Sequence, residues 1–268
     1  MQNILNYNQL GKSRGIVLFA YNTKFNYINI ATQCAKIAKL HLNLPVTLIT
    51  DQNIDNAIFD NVIIDTNQFE NFRSEGTIWR NGNRHRAYEL SPYDETLLID
   101  SDYIILDKKL LELFNVTQDY RIFQSTNFLD ISTHNKMGHL KLDFLWATAL
   151  IFKKTLKTKL LFELVKNIQN NYQYYYDLYQ IPDSNFRNDY AFTIADNILN
   201  GYGYDENCYI PWPLISINEL VNLELNNNNL IIKTKNTSII SPIQSLHILD
   251  KAFLLSDKFT NFLSNYEL

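Results

Sequence analysis

Two short apolar runs flank a stretch with helical periodicity near the start of the chain. Residues 15–21 and 46–50 are almost continuously apolar and are typical of buried strands, whereas apolar side chains recur every three or four positions over residues 27–44. Pro45 is expected to end that helix. Strand, helix and strand in this order predict a right-handed parallel unit, in which ligands gather at the carboxyl ends of the strands.

The remaining pattern continues this mixture of strands and helices. Residues 127–142 show no clear period and predict an irregular loop. Further strands are predicted at residues 61–65, 120–126 and 144–152, helices at 107–114, 156–168 with a continuation over 172–179, and from 182 onwards, and a hairpin over 223–240. The pattern favours a single α/β domain, with a mostly parallel sheet flanked by helices and a small carboxyl-terminal β-hairpin addition.

The central apolar run carries two carboxylates. Residues 97–99 are apolar, Asp100 and Asp102 follow with Ser101 between them, and residues 103–105 are apolar again. Two ionised groups at the end of a buried strand are unfavourable unless a cation or strong donors compensate them. Their hard oxygen atoms suit Mn²⁺ or Mg²⁺ carrying the phosphates of a substrate. A solvated turn at the end of the strand is the alternative interpretation.

Other polar residues are expected at the same edge of the sheet, because the carboxyl ends of parallel strands meet there. Tyr21, Asn22 and Thr23 end the first predicted strand and Asp51 ends the second. Asp51 is equally compatible with a turn that only ends its strand. Asp189 falls in the first turns of a later helix, where it is either a partly buried carboxylate or a solvated helix residue.

The segment between residues 73 and 86 is the most cationic part of the chain, with arginines at positions 73, 80, 84 and 86. It leads into a short helix before the paired aspartates. The planar donor fork of arginine suits diphosphate oxygens, so Arg84 and Arg86 are candidates to face a nucleoside diphosphate. A solvated helix face is the alternative.

Composition bounds the class of protein. The 268 residues are 46% hydrophobic with only 7 Gly and 6 Pro, which indicates a globular protein with a substantial core. A formal net charge of −4 gives no overall attraction for nucleic acid or anionic membranes. No apolar run reaches the roughly 18 residues of a membrane helix, and the first residues lack a secretory pattern. We therefore expect a cytoplasmic protein without membrane insertion.

Neither the cysteines nor the clustered histidines match a zinc site. Cys34 and Cys208 lie far apart, which also makes a disulfide framework unlikely and fits a reducing compartment. His134 and His139 are close in sequence but have no cysteine or third histidine beside them.

Four segments, taken in order and approximate spacing, resemble the GT-A fold of nucleotide-sugar glycosyltransferases, especially the glycogenin-like and bacterial lipopolysaccharide galactosyltransferase group. They are residues 19–23 after the first strand, residues 84–90, the Asp-Ser-Asp motif at 100–102, and His247. Glycosyltransferase-like proteins of tailed phages are similar in this motif and in the short ending from His247 to Lys251.

The resemblance implies transfer of a sugar from a nucleoside diphosphate sugar, above all a UDP-sugar, in the host cytoplasm if the chain is phage-encoded. Asp100, Asp102 and His247 would hold Mn²⁺ or Mg²⁺. Asp189 would act on the acceptor face, as a general base or as a stabiliser of an oxocarbenium-like state. Residues 15–126 would form the nucleotide and metal half and residues 127–251 the acceptor half. The expected donor-binding residues are Ala20, Tyr21, Asn22, Thr23, Asp51, Arg84, Arg86, Ser101 and Lys251.

Three positions depart from the family pattern. Residues 146–149 read Trp-Ala-Thr-Ala where the family has Asn-x-Gly, residues 187–189 read Arg-Asn-Asp in place of Asp-Gln-Asp, and Lys251 follows His247 without the family's glycine. Retention or inversion of configuration therefore stays open, as does the acceptor, whether glycan, lipid, protein or modified phage DNA base. A nucleotidyltransferase and a non-catalytic nucleotide-sugar binding module are the alternatives, although residues 20–23 are not a glycine-rich phosphate loop.

Overall fold

The computed structural model describes residues 12–67, 71–74, 77–132 and 135–266, with only the backbone described at 71–74, 77 and 78. His134 and the side chain of Arg73 lie outside these described residues. The strands are β1 (Arg14–Phe19), β2 (Val46–Thr50), β3 (Asn61–Ile64), β4 (Asn71–Ser74), β5 (Thr77–Trp79), β6 (Glu95–Ile99), β7 (Tyr103–Ile104), β8 (Tyr120–Phe123), β9 (Thr126–Phe128), β10 (Lys136–Met137), β11 (Leu142–Asp143), β12 (Trp146–Lys153), β13 (Leu214–Ile217), β14 (Asn222–Asn226), β15 (Asn229–Lys233), β16 (Ser238–Pro242) and β17 (Leu246–Ile248).

Helices connect and cover these strands. The α-helices are α1 (Tyr27–Leu42), α2 (Ala87–Leu90), α3 (Leu156–Asn170), α4 (Tyr172–Tyr179), α5 (Asn188–Leu199), α6 (Lys251–Leu254) and α7 (Asp257–Tyr266), and 3₁₀ helices span Asn83–Arg86, Lys109–Asn115 and Glu206–Cys208. Among the described residues, no helix has both the length and the apolar character needed to cross a lipid bilayer.

The central sheet confirms the predicted α/β class. In the described part of the chain it has the strand order β3-β2-β1-β6-β12-β8, and its first four strands run parallel. β12 pairs antiparallel with both β6 and β8. The apolar runs recognised in the sequence fill this sheet, since every residue of β2 and β6 is buried. The parallel strands therefore end together at one edge, where β6 leads into Asp100.

Helix α1 forms where the sequence predicts it, and local capping fixes both of its ends. The Asn26 side chain accepts a hydrogen bond from Asn29 N, and Asn43 ends the helix in the left-handed conformation at φ 49°. The apolar stripe includes Ile30, Cys34 and Ile37, which are fully buried. Because α1 packs on β2 and β7, it supports the strand that ends before Asp51 and the strand that begins after Asp102.

A second, smaller sheet is built from segments that are distant in sequence. Its order is β7-β17-β13-β9, with β13 parallel to β17 and β9, and β17 antiparallel to β7. The β17–β7 register places His247 opposite Tyr103. This pairing brings a histidine from near the carboxyl terminus next to Asp102, which immediately precedes β7.

Several predicted elements have different bounds or types. The helix predicted at 107–114 is a 3₁₀ helix over Lys109–Asn115, and Asp107 before it accepts hydrogen bonds from Lys109 N at 2.9 Å and Ser245 N at 3.0 Å. The strand predicted at 120–126 divides into β8 and β9, which lie in different sheets. The single helix predicted to continue through 179 is two helices, α3 and α4.

Two further differences concern the second half. The helix predicted to begin at residues 182–184 begins at Asn188, because the Asp183 side chain accepts hydrogen bonds from Asn185 and turns the chain first. The hairpin predicted over 223–240 is formed by β14 and β15, and β16 adds a third antiparallel strand. The loop predicted at 127–142 holds the short strands β10 and β11 near its end.

Candidate metal and sugar-nucleotide site

Two carboxylates and one imidazole converge where the two sheets meet. Asp100 follows β6, Asp102 precedes β7, and His247 lies in the middle of β17. One ligand atom from each lies within 4.8 Å of the others, which makes this a group that could hold a metal ion. The three side chains predicted from the Asp-Ser-Asp motif and from the lone histidine are thus brought together by the fold.

Asp100 is held by donors from the arginine-rich segment. Its Oδ1 accepts a hydrogen bond from Arg84 Nη1 at 2.6 Å and a longer one from Asn81 Nδ2 at 3.4 Å. Burial raises the pKa of Asp100 to about 6, and the Arg84 charge opposes this rise. Arg84 itself is 1% exposed and also donates to Thr148 O at 3.4 Å. Arg84 therefore fixes the orientation of the Asp100 carboxylate.

Asp102 has different partners on its two oxygen atoms. Lys251 Nζ donates to Oδ2, whereas Oδ1 lies 3.6 Å from His247 Nε2 and has no hydrogen-bond partner among the described residues. Burial opposes ionisation of this carboxyl, but the charge and the hydrogen bond of Lys251 hold its pKa below the ordinary value. A buried carboxylate oxygen without a donor is unfavourable, and a cation would satisfy it.

His247 has the protonation state that a metal ligand needs. Burial lowers the pKa of this side chain, which favours the neutral imidazole at pH 7. Its Nδ1 lies 3.3 Å from Ser216 Oγ, a contact that fixes the ring and leaves Nε2 towards Asp102. Two carboxylates and a neutral imidazole form a donor set that fits a divalent ion.

The group lies in a cavity of about 530 Å³, a size suited to a small organic ligand. The predicted site residues that line it, besides the three above, are Ala20, Tyr21, Thr23, Arg84, Ser101, Asp189 and Lys251. Most of the residues predicted from the sequence therefore line one cavity, and their roles there stay predictions.

Three predicted donor-binding residues do not line this cavity. Asn22 Oδ1 accepts from Ile28 N at 3.1 Å, so this side chain supports the start of α1. Asp51 pairs with Arg80 at 3.3 Å. Arg86 donates to Asp65, which is 2% exposed, and this pairing explains why Arg86 does not turn towards the cavity. A role of these residues in donor binding stays a prediction.

Asp189 lies at the start of α5 and faces the cavity with both oxygens engaged. Oδ1 accepts from Ala147 N at 2.9 Å, and Oδ2 accepts from Arg187 Nη2 at 2.6 Å and Nε at 3.2 Å. Three donors on one carboxylate stabilise its charge and occupy most of its lone pairs. These contacts fix the orientation of the Asp189 carboxylate at the cavity.

Other residues of the cavity were not chosen from the sequence. Among them are Trp79, Asn81, Phe128, Trp146 and Asn188. Asn188 Nδ2 donates to Asn81 O at 2.7 Å and so joins the arginine-rich segment to α5. The sequence could have pointed to two of these residues, because Trp146 and Asn188 fall in the segments that depart from the family pattern. Trp79 ends β5, Phe128 ends β9 and Asn81 follows β5, and these short segments have no periodicity to mark them.

No protein-family model matches the chain, and no curated protein matches it either. Solved structures similar to it include the glycosyltransferase GlyE of Streptococcus pneumoniae TIGR4, with 14% identity over 70% of this chain and 43% of GlyE at a TM-score of 0.41. The galactosyltransferase LgtC, solved with donor and acceptor sugar analogues, matches with 14% identity over 68% of this chain and 69% of its own at a TM-score of 0.44.

A third similar structure is the bifunctional glycosyltransferase WbbM, with 13% identity over 59% of this chain and 35% of WbbM at a TM-score of 0.39. This chain therefore spans less than half the length of GlyE and WbbM. All three proteins are glycosyltransferases, the class that the sequence motifs resemble.

Proposed function

We propose that the chain is a divalent-metal-dependent glycosyltransferase that moves a sugar from a nucleoside diphosphate sugar, above all a UDP-sugar, to an acceptor. The observation that carries this proposal is the group formed by Asp100, Asp102 and His247 in a cavity of ligand size, with Asp102 Oδ1 buried and unpartnered. Mn²⁺ and Mg²⁺ are the ions proposed, since both accept carboxylate oxygens and substrate phosphates.

The charges around the cavity explain why a metal would be needed. Each of the four cationic side chains that line the described cavity is paired with a carboxylate. The pairs are Arg80–Asp51, Arg84–Asp100, Arg187–Asp189 and Lys251–Asp102. A diphosphate entering this cavity would meet little net positive charge from the protein. A divalent ion would supply the missing charge and stabilise the diphosphate as it departs.

The chain's own residues would complete the reaction site. Lys251 contacts Asp102 Oδ2 and lines the cavity, so its ammonium would bind the phosphates of the donor. Arg84 would keep Asp100 oriented. Asp189, held by Arg187 and Ala147 N, would stabilise the oxocarbenium-like state on the sugar. Retention or inversion, and the acceptor, whether glycan, lipid, protein or modified DNA base, are not determined by these contacts.

Isothermal titration calorimetry with UDP-, GDP- and ADP-glucose tests the proposal. We expect one of these sugar nucleotides to bind in the presence of Mn²⁺ and to lose most of its affinity in excess chelator. Binding of that ligand followed by release of its nucleotide, measured with an acceptor library, would establish transfer. Equal affinity with and without metal, or no binding of any member, would contradict the proposal.

A further inference from the structure

Trp146 is a buried donor without a partner at the wall of the cavity. The residue is 7% exposed and lines the cavity, and its indole Nε1 has no hydrogen-bond partner among the described residues. Indole N–H groups usually find an acceptor when they are buried. An unpaired buried donor costs free energy, so a ligand that offers an oxygen here would relieve that cost.

An irregularity in β12 lies next to this indole. The pairing of β12 with β8 shifts register between Trp146 and Leu150, as in a β-bulge. Bulges change the direction of a side chain and are common next to active sites. The neighbouring Ala147 N donates to Asp189 Oδ1 at 2.9 Å, which ties this part of β12 to the start of α5.

Aromatic contacts hold the indole rigidly. Its ring lies 4.8 Å from the ring of Phe144 in an edge-to-face arrangement and 5.7 Å from that of Phe128, measured between centroids. The Arg187 guanidinium packs over the Phe144 ring, at 5.7 Å from its centroid. A ring that is fixed from several sides loses little entropy when it binds a ligand.

The surface beside Trp146 is apolar, unlike the metal side of the cavity. Phe128 and Ile131 line the cavity with it, and Ile131 is 47% exposed. We call Phe128, Ile131 and Trp146 the apolar wall. A ligand that fits must combine an apolar face with oxygen acceptors, which is the chemistry of a sugar ring. A bare phosphate offers oxygen acceptors but no apolar face, so it would not use both features.

We propose that Trp146 recognises the sugar ring in this cavity, with its indole N–H donating a hydrogen bond to a sugar oxygen while the ring's apolar face packs on the apolar wall. The inference extends the proposed function by assigning a sugar subsite to residues outside the metal group. The ring belongs either to the donor nucleotide or to a saccharide acceptor, and the same contact chemistry serves both.

Calorimetry on wild type, Trp146→Phe and Trp212→Phe tests the assignment. Phe keeps an aromatic ring in the cluster and removes only the donor, and Trp212 is a partly buried tryptophan outside the cavity lining. The ligands are UDP, GDP and ADP, each with its glucose derivative and Mn²⁺, and the free disaccharides lactose and maltose. Thermal unfolding of each variant checks that it is folded.

For a donor sugar, Trp146→Phe should bind the nucleoside diphosphate as wild type does but the sugar nucleotide about 3- to 10-fold more weakly, the range for one lost neutral hydrogen bond. For an acceptor sugar, the same loss should appear with a disaccharide. Trp212→Phe should match wild type throughout. Unchanged affinities in Trp146→Phe, or no binding of any sugar-containing ligand to wild type, would overturn the assignment.

The proposed transferase activity and this assignment fail in different ways. Loss of all nucleotide binding would reject the proposed transferase activity, whereas the disaccharide titrations would still test whether Trp146 binds a sugar. A second readout uses the indole N–H signals of the three tryptophans in a ¹H–¹⁵N spectrum. The signal missing from Trp146→Phe should shift when the sugar-containing ligand is added. A stationary signal at saturating ligand would also overturn the assignment.

Discussion

Lys251 and a metal ion would compete for the same carboxylate. The Lys251 ammonium donates to Asp102 Oδ2, and the side chain of Lys251 is only 13% exposed. The ammonium therefore neutralises the carboxylate that the proposed ion would also use. At the scale of single residues, this contact would allow a charge exchange, in which the proposed ion would bind Asp102 in place of Lys251 and the freed ammonium would contact an incoming phosphate.

Lys251→Met should separate metal binding from nucleotide binding. Removing the competing ammonium should strengthen the binding of Mn²⁺ alone, whereas UDP-sugar binding at saturating Mn²⁺ should weaken about 10-fold or more because a charged hydrogen bond is lost. Both affinities can be measured by calorimetry. Lys258→Met, at an exposed position, serves as the control for lost charge. A parallel change in both affinities would contradict the exchange.

His85 should make stability depend on pH. Burial, assisted by the nearby Lys166 charge, lowers the pKa of His85 to about 4, and its Nδ1 is buried without a partner among the described residues. In the unfolded chain the group titrates near pH 6.5. Between these values the unfolded state binds more protons, so the contribution of His85 is complete above about pH 6.5 and is lost as the pH falls towards 4.

The free energy of unfolding should therefore fall by up to about 3 kcal/mol from this group between pH 7 and pH 4, at roughly 1.4 kcal/mol per pKa unit. The free energy of unfolding, measured with urea at several pH values in this range, should fall less steeply with decreasing pH for His85→Gln than for wild type, since acidic groups contribute equally to both. His139→Gln, at an exposed position, is the matched substitution. Identical slopes for His85→Gln and wild type would disprove the linkage.

At the scale of elements, β1 depends on a close approach that only glycine permits. A Cβ placed on Gly15 would lie 2.2 Å from Cζ of Tyr93. The Tyr93 ring is 6% exposed, and its hydroxyl lies 2.8 Å from Thr47 Oγ1 on β2, so it cannot move aside without losing this contact. The ring and the glycine together set the start of β1 beside β2 and β6.

Gly15→Ala should consequently destabilise the protein by about 1–3 kcal/mol, the range for overpacking a core. The loss should be smaller when Gly15→Ala is made in a Tyr93→Leu background, because the clashing ring is gone. Denaturant unfolding of the two single variants and the double variant forms the test. Additive losses would show that the close approach to Tyr93 is not the cause.

The elements that the sequence predicted well are those determined by local pattern. β1, α1, β2 and β6 combine continuous apolar runs or a helical period with clear stops, and the structure confirms them. The start of α5 was missed because an Asp183 turn follows Pro182, and both helices and turns begin with such residues. The segment at 107–114 is helical, but tertiary hydrogen bonds to Asp107 accompany the 3₁₀ form.

Part of the candidate site could likewise be predicted from the local sequence, and part of it depends on contacts between distant segments. Asp100 and Asp102 could be predicted because two carboxylates stand at the end of a buried strand. Their alignment with His247 depends on the β17–β7 pairing, which joins residues more than 140 positions apart and leaves no periodic signal. Only a family resemblance pointed to His247. The partners of Arg86 and the position of Trp146 likewise depend on contacts between distant segments.

At the scale of the whole molecule, the proposed active site is a junction between two sheets. The parallel part of the central sheet supplies Asp100, the smaller sheet supplies His247, and Asp102 lies in the turn between β6 and β7. Since neither sheet holds all three residues, this group of side chains exists only when both sheets are folded together. A bound divalent ion would therefore stabilise the folded protein against unfolding.

Binding of Mn²⁺, followed by the electron paramagnetic resonance signal of the free ion, is the most direct test of the central claim. In the presence of UDP, wild type should bind one Mn²⁺ per chain, Asp102→Asn should lose this binding, and Asp55→Asn, an exposed substitution with the same charge change, should retain it. Mn²⁺ binding that is unaltered in Asp102→Asn, or absent from wild type, would contradict a metal site at Asp100, Asp102 and His247.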